Sequence, residues 1–429
     1  MAARNEGHPA TSWYAQTANP FPELASLRGH HQTEVCIIGA GYTGLGAALR
    51  LAEQGVSTIV LEEAQVGSGA SGRNGGQIHT GQRRDQPWLE QTVGPDDAMA
   101  LWTLAEDAKA HLRDLITKNA IACDLKPKMI HARHRPQGED EDRAWRDHMA
   151  ERYGYDQIRL IDKDALAFEL GTDVYFGGTV DEGGGHLHPL NFAIGLGRAA
   201  IDSGAQIFER SRALSWRKTA QGMEVTTQQG TVICQRLILT GDGYIDGLSP
   251  AIDARVMPIN NFILATAALG EFADEIIRSD AAVADSRFVI NYFRKSPDGR
   301  LLFGGGENYS PWFPADLSGF VRRHMLKVYP RLAAVPITHA WGGTLGITMN
   351  RTPYVRALAP GVVTAAGYSG QGVMLAPYFG KLLADATLGE MSGLNLLSRL
   401  PTPAFPGGKL LRWPALVAGL SWYALRDRL

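Results

Sequence analysis

The chain has 429 residues, 45% of them hydrophobic and 20% charged, which is mass and apolar content for two or three domains around a large core. Its 42 basic and 44 acidic residues leave a formal net charge of -2, so no overall field marks a nucleic-acid binder or a membrane-surface protein. The three cysteines, Cys36, Cys123 and Cys234, form no CxxC pair and no metal-ligand spacing, which argues against a disulfide framework and against a bound metal.

Residues 1–32 read as an N-terminal extension with no basic stretch leading into an apolar run, so no secretory signal is visible. No uninterrupted apolar stretch reaches about 18 residues, the length at which a membrane-spanning helix becomes a candidate. The expected compartment is the cytoplasm.

Val35-Cys36-Ile37-Ile38 is a short β-branched run suited to a fully buried strand of a parallel sheet. Gly39-Ala40-Gly41-Tyr42-Thr43-Gly44 follows as a GxGxxG. There Gly39 permits a tight reversal, Gly41 lets backbone approach a pyrophosphate, and Gly44 allows close helix-on-strand packing. Leu45, Ala48, Leu49 and Ala52 recur at helical spacing, and Gly55 stands where that helix would stop. Ser57-Thr58-Ile59-Val60-Leu61 reads as a second buried strand closing on Glu62, a carboxylate placed to accept ribose hydroxyls. This unit alone fits FAD, NAD or both.

The next segment separates them. Residues 67–77 form a second glycine-dense loop, with Gly69, Ser71, Arg73, Asn74, Gly75, Gly76 and Gln77 interleaving glycine with hydroxyl, guanidinium and amide donors. Such a loop can face an anion or a ring edge, and a plain NAD dehydrogenase has no need of it here.

Together the 39–44 turn, Glu62 and the 69–77 loop resemble the D-amino acid oxidase superfamily of FAD enzymes. The likeness narrows within it to bacterial amine oxidoreductases that act on gamma-glutamylated diamines. It extends through Gly183-Gly184-Gly185-His186-Leu187-His188-Pro189-Leu190-Asn191 to Gly367-Tyr368-Ser369-Gly370-Gln371-Gly372-Val373, and on through Phe405-Pro406-Gly407-Gly408 and Leu411-Arg412-Trp413-Pro414 to the C-terminus. In the superfamily the 367–373 turn lies against the flavin ring, which makes Gly370, Gln371, Gly372 and Val373 cofactor-binding candidates beside Gly39, Gly41, Tyr42, Thr43 and Gly44. Gln371 stands where the family carries histidine. It remains a donor but cannot titrate near neutral pH.

The resemblance implies an α/β chain in which a Rossmann-type FAD-binding domain is interleaved with an α+β substrate domain on a mostly antiparallel sheet. The expected division assigns 33–85, 171–250 and 345–395 to the FAD-binding domain, 86–170 and 251–344 to the substrate domain, and 396–429 to a C-terminal tail. The apolar part of that tail, 410–425, fits packing on the protein body or on the partner subunit of a homo-oligomer better than an interfacial anchor. His186 and His188 read as structural or pocket-lining residues, because no further ligand cluster accompanies them.

The activity implied is oxidation of the free primary amine of a substrate such as gamma-glutamylputrescine, through an imine, to aldehyde and ammonia, with electrons passed to oxygen or another acceptor. No Ser/His/Asp triad is required, because the cofactor performs the hard step. No catalytic residue is assigned. Arg351 and Arg294 are candidates for a substrate carboxylate, Tyr292 and Trp341 for aromatic pocket walls, and Gln371 for the flavin edge. No cysteine falls near 341–353 for covalent attachment, so dissociable FAD is expected. Two alternatives stay open: oxidation of a small amino or imino acid (glycine, sarcosine or a D-amino acid), and a structural flavin-binding subunit.

Overall fold

The computed structural model describes residues 8–9, 11–287, 289–308 and 312–408. The tail call at 410–425 therefore lies outside the described residues.

The apolar runs read from the sequence become a parallel sheet. Its centre is Gly29–Ile38, flanked by Thr58–Leu61 on one side and Gly230–Leu239 on the other. Gln206–Phe208 extends it past Thr58–Leu61, and Val362–Ala366 then Tyr354–Ala359 extend it past Gly230–Leu239. Ser215–Thr219 and Gly222–Thr226 add an antiparallel ribbon.

Alternation of side chains divides this sheet's burial between two cores. Val35, Ile37, Val60 and Ile238 face the helices Tyr42–Glu53, Pro189–Asp202 and Gly372–Thr387. Cys36, Ile38, Ile59 and Leu239 face the opposite way, with Val225 and Val232 of the ribbon. Burial on both faces is why these strands read as continuous hydrophobic runs.

The second sheet runs Ile337–Ile347, Met257–Ala268, Arg300–Asn308, Tyr292–Lys295, Ala282–Asp285, Lys126–Ala132, Gly178–His186 and Gln77–Ile78, with Ile158–Ile161 paired to Gly178–His186. It is antiparallel except where Ala282–Asp285 pairs with Lys126–Ala132. Phe262, Phe293, Phe303 and Met325 of the helix Leu317–Val328 fill the core on one face.

The chain interleaves more finely than the expected segments. Gly178–His186, placed with the nucleotide fold by its position in the chain, pairs in the second sheet. The helices Gln86–Val93 and Pro95–Lys118, placed with the substrate domain, bury Leu89, Leu101 and Leu112 against Leu45, Ala48 and Phe379 on the nucleotide side. The N-terminal stretch is not a loose extension either: Trp13 and Tyr14 are buried with Leu190, Ile263 and Trp341.

Candidate active site

A cleft of about 680 Å³ opens where the two sheets meet. Its floor is the 39–44 turn. Gly39 has φ +105°, and a side chain on Gly44 would place its Cβ 1.8 Å from Gly39 O, so the strand can reverse into the helix only with glycine at both positions. Gly41 caps the helix Tyr42–Glu53 without a side-chain bond, and Tyr42 N–H donates to Ser71 Oγ at 3.0 Å. A Cβ on Gly41 would meet only that Ser71 oxygen, at 2.8 Å. The missing side chain leaves a helix N-terminus facing the cleft, a cradle shaped for a phosphate.

Glu62 ends its strand, and its carboxylate accepts N–H from Ala40 at 2.8 Å and from Ala64 at 2.9 Å. Burial pushes its pKa up to about 7, with those two bonds pulling the other way. It holds the glycine turn to the strand end from behind the cleft wall. Each oxygen accepts one N–H and keeps capacity for a second donor such as a ribose hydroxyl.

The second glycine loop folds on itself through Asn74. Its amide donates to Ala70 O at 3.0 Å and Ser71 O at 2.9 Å, and its oxygen accepts Gly76 N–H at 2.7 Å. Arg73 Nε donates to Ser68 O at 2.6 Å, and its outer nitrogen reaches Gly342 O at 3.2 Å. Its guanidinium thus ties the loop to the second sheet while lining the cleft. Gln77 donates to Val283 O at 2.8 Å.

The third turn follows Val362–Ala366. Gln371 Nε2 donates to Gly81 O at 2.6 Å, which fixes the opening of the helix Gly372–Thr387 against the 79–86 segment. Tyr368 OH and Thr43 Oγ1 lie 2.7 Å apart. Asp242, not singled out from sequence, accepts N–H from Gly346 and from Gly367, each at 2.7 Å. Burial raises its pKa against the pull of those bonds. Its glycine-flanked position after a strand was visible in the sequence, but its partners were not.

Of the residues nominated from sequence, Gly41, Tyr42, Thr43, Ser71, Arg73, Asn74, Gly75, Gln77, Gly370, Gln371, Gly372, Val373, Tyr292 and Arg351 line the cleft. Gly39, Gly44, Glu62, Gly69 and Gly76 stand behind that wall. Two pocket candidates are corrected. Arg294 is buried, spending its guanidinium on Gly75 O at 2.9 Å, Leu187 O at 3.0 Å and Tyr14 OH at 3.2 Å. Trp341 packs edge-on against Tyr14 and donates its indole N–H to Arg73 O at 3.1 Å, a core residue propping the loop. His186 and His188 are also buried off the cleft. His188 Nδ1 accepts Asn191 N–H at the start of Pro189–Asp202, and burial holds its pKa near 3.

The outer wall joins Tyr292, nominated from sequence, to residues that sequence reasoning missed. Tyr292 OH donates to Asn261 Oδ1 at 2.5 Å. His79 and His131 face each other with centroids 5.6 Å apart, and burial lowers the pKa of His79 to about 3, so it presents a neutral imidazole. Asp181 accepts from Thr80 Oγ1, from Tyr155 OH at 2.5 Å and from Gly183 N at 3.0 Å. Buried Lys109 reaches Thr80 Oγ1 at 3.1 Å and Tyr155 OH at 3.3 Å, and its ion pair is with Glu106 Oε1 at 2.9 Å. These groups come from stretches scattered between residues 79 and 292, and only the fold unites them.

The model of the family DAO, FAD dependent oxidoreductase, matches residues 34–386 of the chain. A probable oxidoreductase OrdL of Rhizobium meliloti is 43% identical over 420 residues, covering 98% of each chain. The gamma-glutamylputrescine oxidoreductase of Escherichia coli is 34% identical over 425 residues, again covering 98% of each. The crystal structure of glycine oxidase from Bacillus cereus superposes with a TM-score of 0.70 at 18% identity, over 87% of this chain and 100% of that one.

Proposed function

This chain belongs to the DAO family of FAD dependent oxidoreductases, and from that premise we propose that it oxidises the free primary amine of a gamma-glutamylated diamine such as gamma-glutamylputrescine. Bound FAD supplies a two-electron oxidant for a C–H bond next to nitrogen, so the amine leaves as an imine that water converts to aldehyde and ammonia.

The residues that would hold FAD are the 39–44 turn with its open helix N-terminus, pinned from behind by Glu62, together with the 69–77 loop and the 370–373 turn at the ring. The cradle at Gly41, which a Cβ would fill, supports that fit. The three cysteines are buried and none lines the cleft, in keeping with dissociable FAD.

The observation that carries the substrate reading is the charge pattern of the cleft. Tyr292 and residues 343–347 bring no cation or carboxylate of their own, and the charged side chains packed on that wall are engaged with the fold, Arg73 with Ser68 O and Gly342 O and Asp242 with Gly346 and Gly367 N–H. An α-amino acid carries its carboxylate on the carbon whose C–H bond reacts and would call for a cation beside it. An amine whose charged end is several bonds away does not. Tyr292, whose hydroxyl proton is spent on Asn261, turns an acceptor oxygen toward an incoming amine. Neutral His79 avoids repelling it. The full-length likeness to the Escherichia coli enzyme supports the same choice.

The test is anaerobic mixing of the flavin-loaded protein with gamma-glutamylputrescine, putrescine, glycine and sarcosine. Loss of the oxidised flavin's yellow absorbance with the gamma-glutamyl amine, and release of the flavin on denaturation, are expected. Reduction by glycine or sarcosine alone would move the reading to an amino-acid oxidase.

A further inference from the structure

We propose that Arg83, Arg84 and Arg351 form a subsite for a carboxylate carried by the substrate at a distance from its reacting amine. The inference rests on the amine-oxidation reading above and deepens it by locating the substrate's anionic end.

Among the described residues, four arginines line the cleft. Arg73 is built into the glycine loop, and the other three gather on one side of the opening. Arg83 Nε donates to Ser369 O at 3.2 Å, which sets it against the 367–371 turn. Arg84 Nε donates to Asn350 O at 2.7 Å, and its guanidinium lies 4.7 Å above the Trp88 ring. That bond brings it beside Arg351, the next residue after Asn350. In both cases the inner nitrogen makes an anchoring bond that fixes the stem, and both residues line the cleft.

Arg351 is held there by its backbone. Its φ is +68°, a left-handed conformation uncommon for a long side chain, and it is maintained by neighbours. Arg351 N–H donates to Thr348 O at 3.2 Å, Thr352 Oγ1 donates to Asn350 Oδ1 at 2.8 Å, and Asn350 Nδ2 donates to Pro401 O. A strained turn clamped from both sides, with its one cationic side chain on the cleft, is what an anion subsite needs in order to be preorganised.

Two carboxylates of the cleft lining have hydrogen-bond partners elsewhere. Asp85 Oδ1 caps the helix Gln86–Val93 through Trp88 N–H at 2.9 Å, and Asp181 is bonded as described above. A carboxylate at the three guanidinium groups would be gripped by charge-assisted, fork-shaped contacts, while an uncharged end group would gain little.

The experiment uses the flavin-loaded protein and two probes, gamma-glutamylputrescine and its analogue in which the α-carboxylate is a primary amide. Anaerobic flavin reduction is followed for the wild type, Arg84→Gln and Arg351→Asn, the asparagine chosen because it tolerates the left-handed backbone. Half-saturation by the acid should rise about 10- to 100-fold in each variant, the loss of one charged contact. The amide should move less than about threefold, and flavin content should stay unchanged. Equal losses for both probes, no loss for either, or loss of flavin instead would overturn the assignment. If neither probe reduces the wild type, the amine reading has failed. The subsite is then judged by glutarate: a perturbed flavin spectrum in the wild type that vanishes in both variants supports it, and no perturbation in the wild type refutes it.

Discussion

Gly41 and Gly44 differ in what a methyl group at each would meet. At Gly44 the new Cβ would lie 1.8 Å from Gly39 O and 2.8 Å from Thr240 Oγ1, so backbone must move. Gly44→Ala should cost on the order of 3 kcal/mol, seen as a lower unfolding midpoint with or without flavin. At Gly41 the methyl would meet only Ser71 Oγ, at 2.8 Å, and a serine can rotate. Gly41→Ala should leave stability within about 1 kcal/mol but reduce flavin affinity at least tenfold, because the methyl occupies the phosphate's approach. Flavin content against unfolding midpoint separates the two, and a Gly41→Ala protein that keeps its flavin refutes the cradle. Glu62 carries a pH prediction. Its folded pKa of about 7 lies above the ordinary carboxylate value of 4.5, so between those values the folded state binds more protons than the unfolded one. Stability of the flavin-stripped protein should therefore fall as pH rises through that window, by roughly 3 kcal/mol at most. Glu62→Gln should flatten that slope in denaturant titrations from pH 4.5 to 7, and an unchanged slope would assign it to other groups.

The floor of the cleft depends on how two helices cross. Tyr42–Glu53 and Gly372–Thr387 approach so closely that a Cβ on Gly380 would lie 2.1 Å from Thr43 O and 2.8 Å from Ala47 N. Both helices begin at the cleft, one at the 39–44 turn and the other at Gln371. Gly380→Ala must part them, and the displacement is carried to both turns at once. Destabilisation of more than about 2 kcal/mol is expected, together with weaker flavin binding, measured as midpoint and as the dissociation constant of added FAD. A normal dissociation constant in a destabilised variant would show that the crossing supports the fold without shaping the site. The buried stripe of Pro95–Lys118 makes a related point. Leu101, Ala105, Ala108 and Leu112 recur at helical spacing along it and are buried. Periodicity says that a face is buried, not against which sheet, and it is the nucleotide side that covers this one.

The parallel strands, the glycine turns and Glu62 were legible because each is a local device whose spacing is set by backbone geometry. The outer wall was not, since His79, His131, Asp181 and Arg84 carry no motif and meet only through pairings such as Arg84 with Asn350, 266 positions away. Arg294 and Trp341 show the converse: a charged or aromatic residue in a family-like segment gives no sign of whether it faces the cleft or props the wall behind it. Asp242 combines both cases. One carboxylate accepts Gly346 N–H from the second sheet and Gly367 N–H from the turn after Val362–Ala366, joining the two layers where the cleft opens. Asp242→Asn would point an amide N–H₂ at one of these donors, losing a bond and leaving a buried N–H without an acceptor, at a cost of about 1–3 kcal/mol. The consequence for flavin follows from linkage. If the bonded junction is the shape that FAD binds, the variant must reorder that junction on binding, so the loss in stability is larger for the loaded protein than for the stripped one. The difference should equal the rise in FAD dissociation constant, about tenfold for each 1.4 kcal/mol. Denaturant unfolding of both forms, with a flavin titration, measures all three quantities. Equal losses in the two forms would reduce Asp242 to a support of the fold, whereas a larger loss in the loaded form makes the junction between the sheets part of the cofactor site.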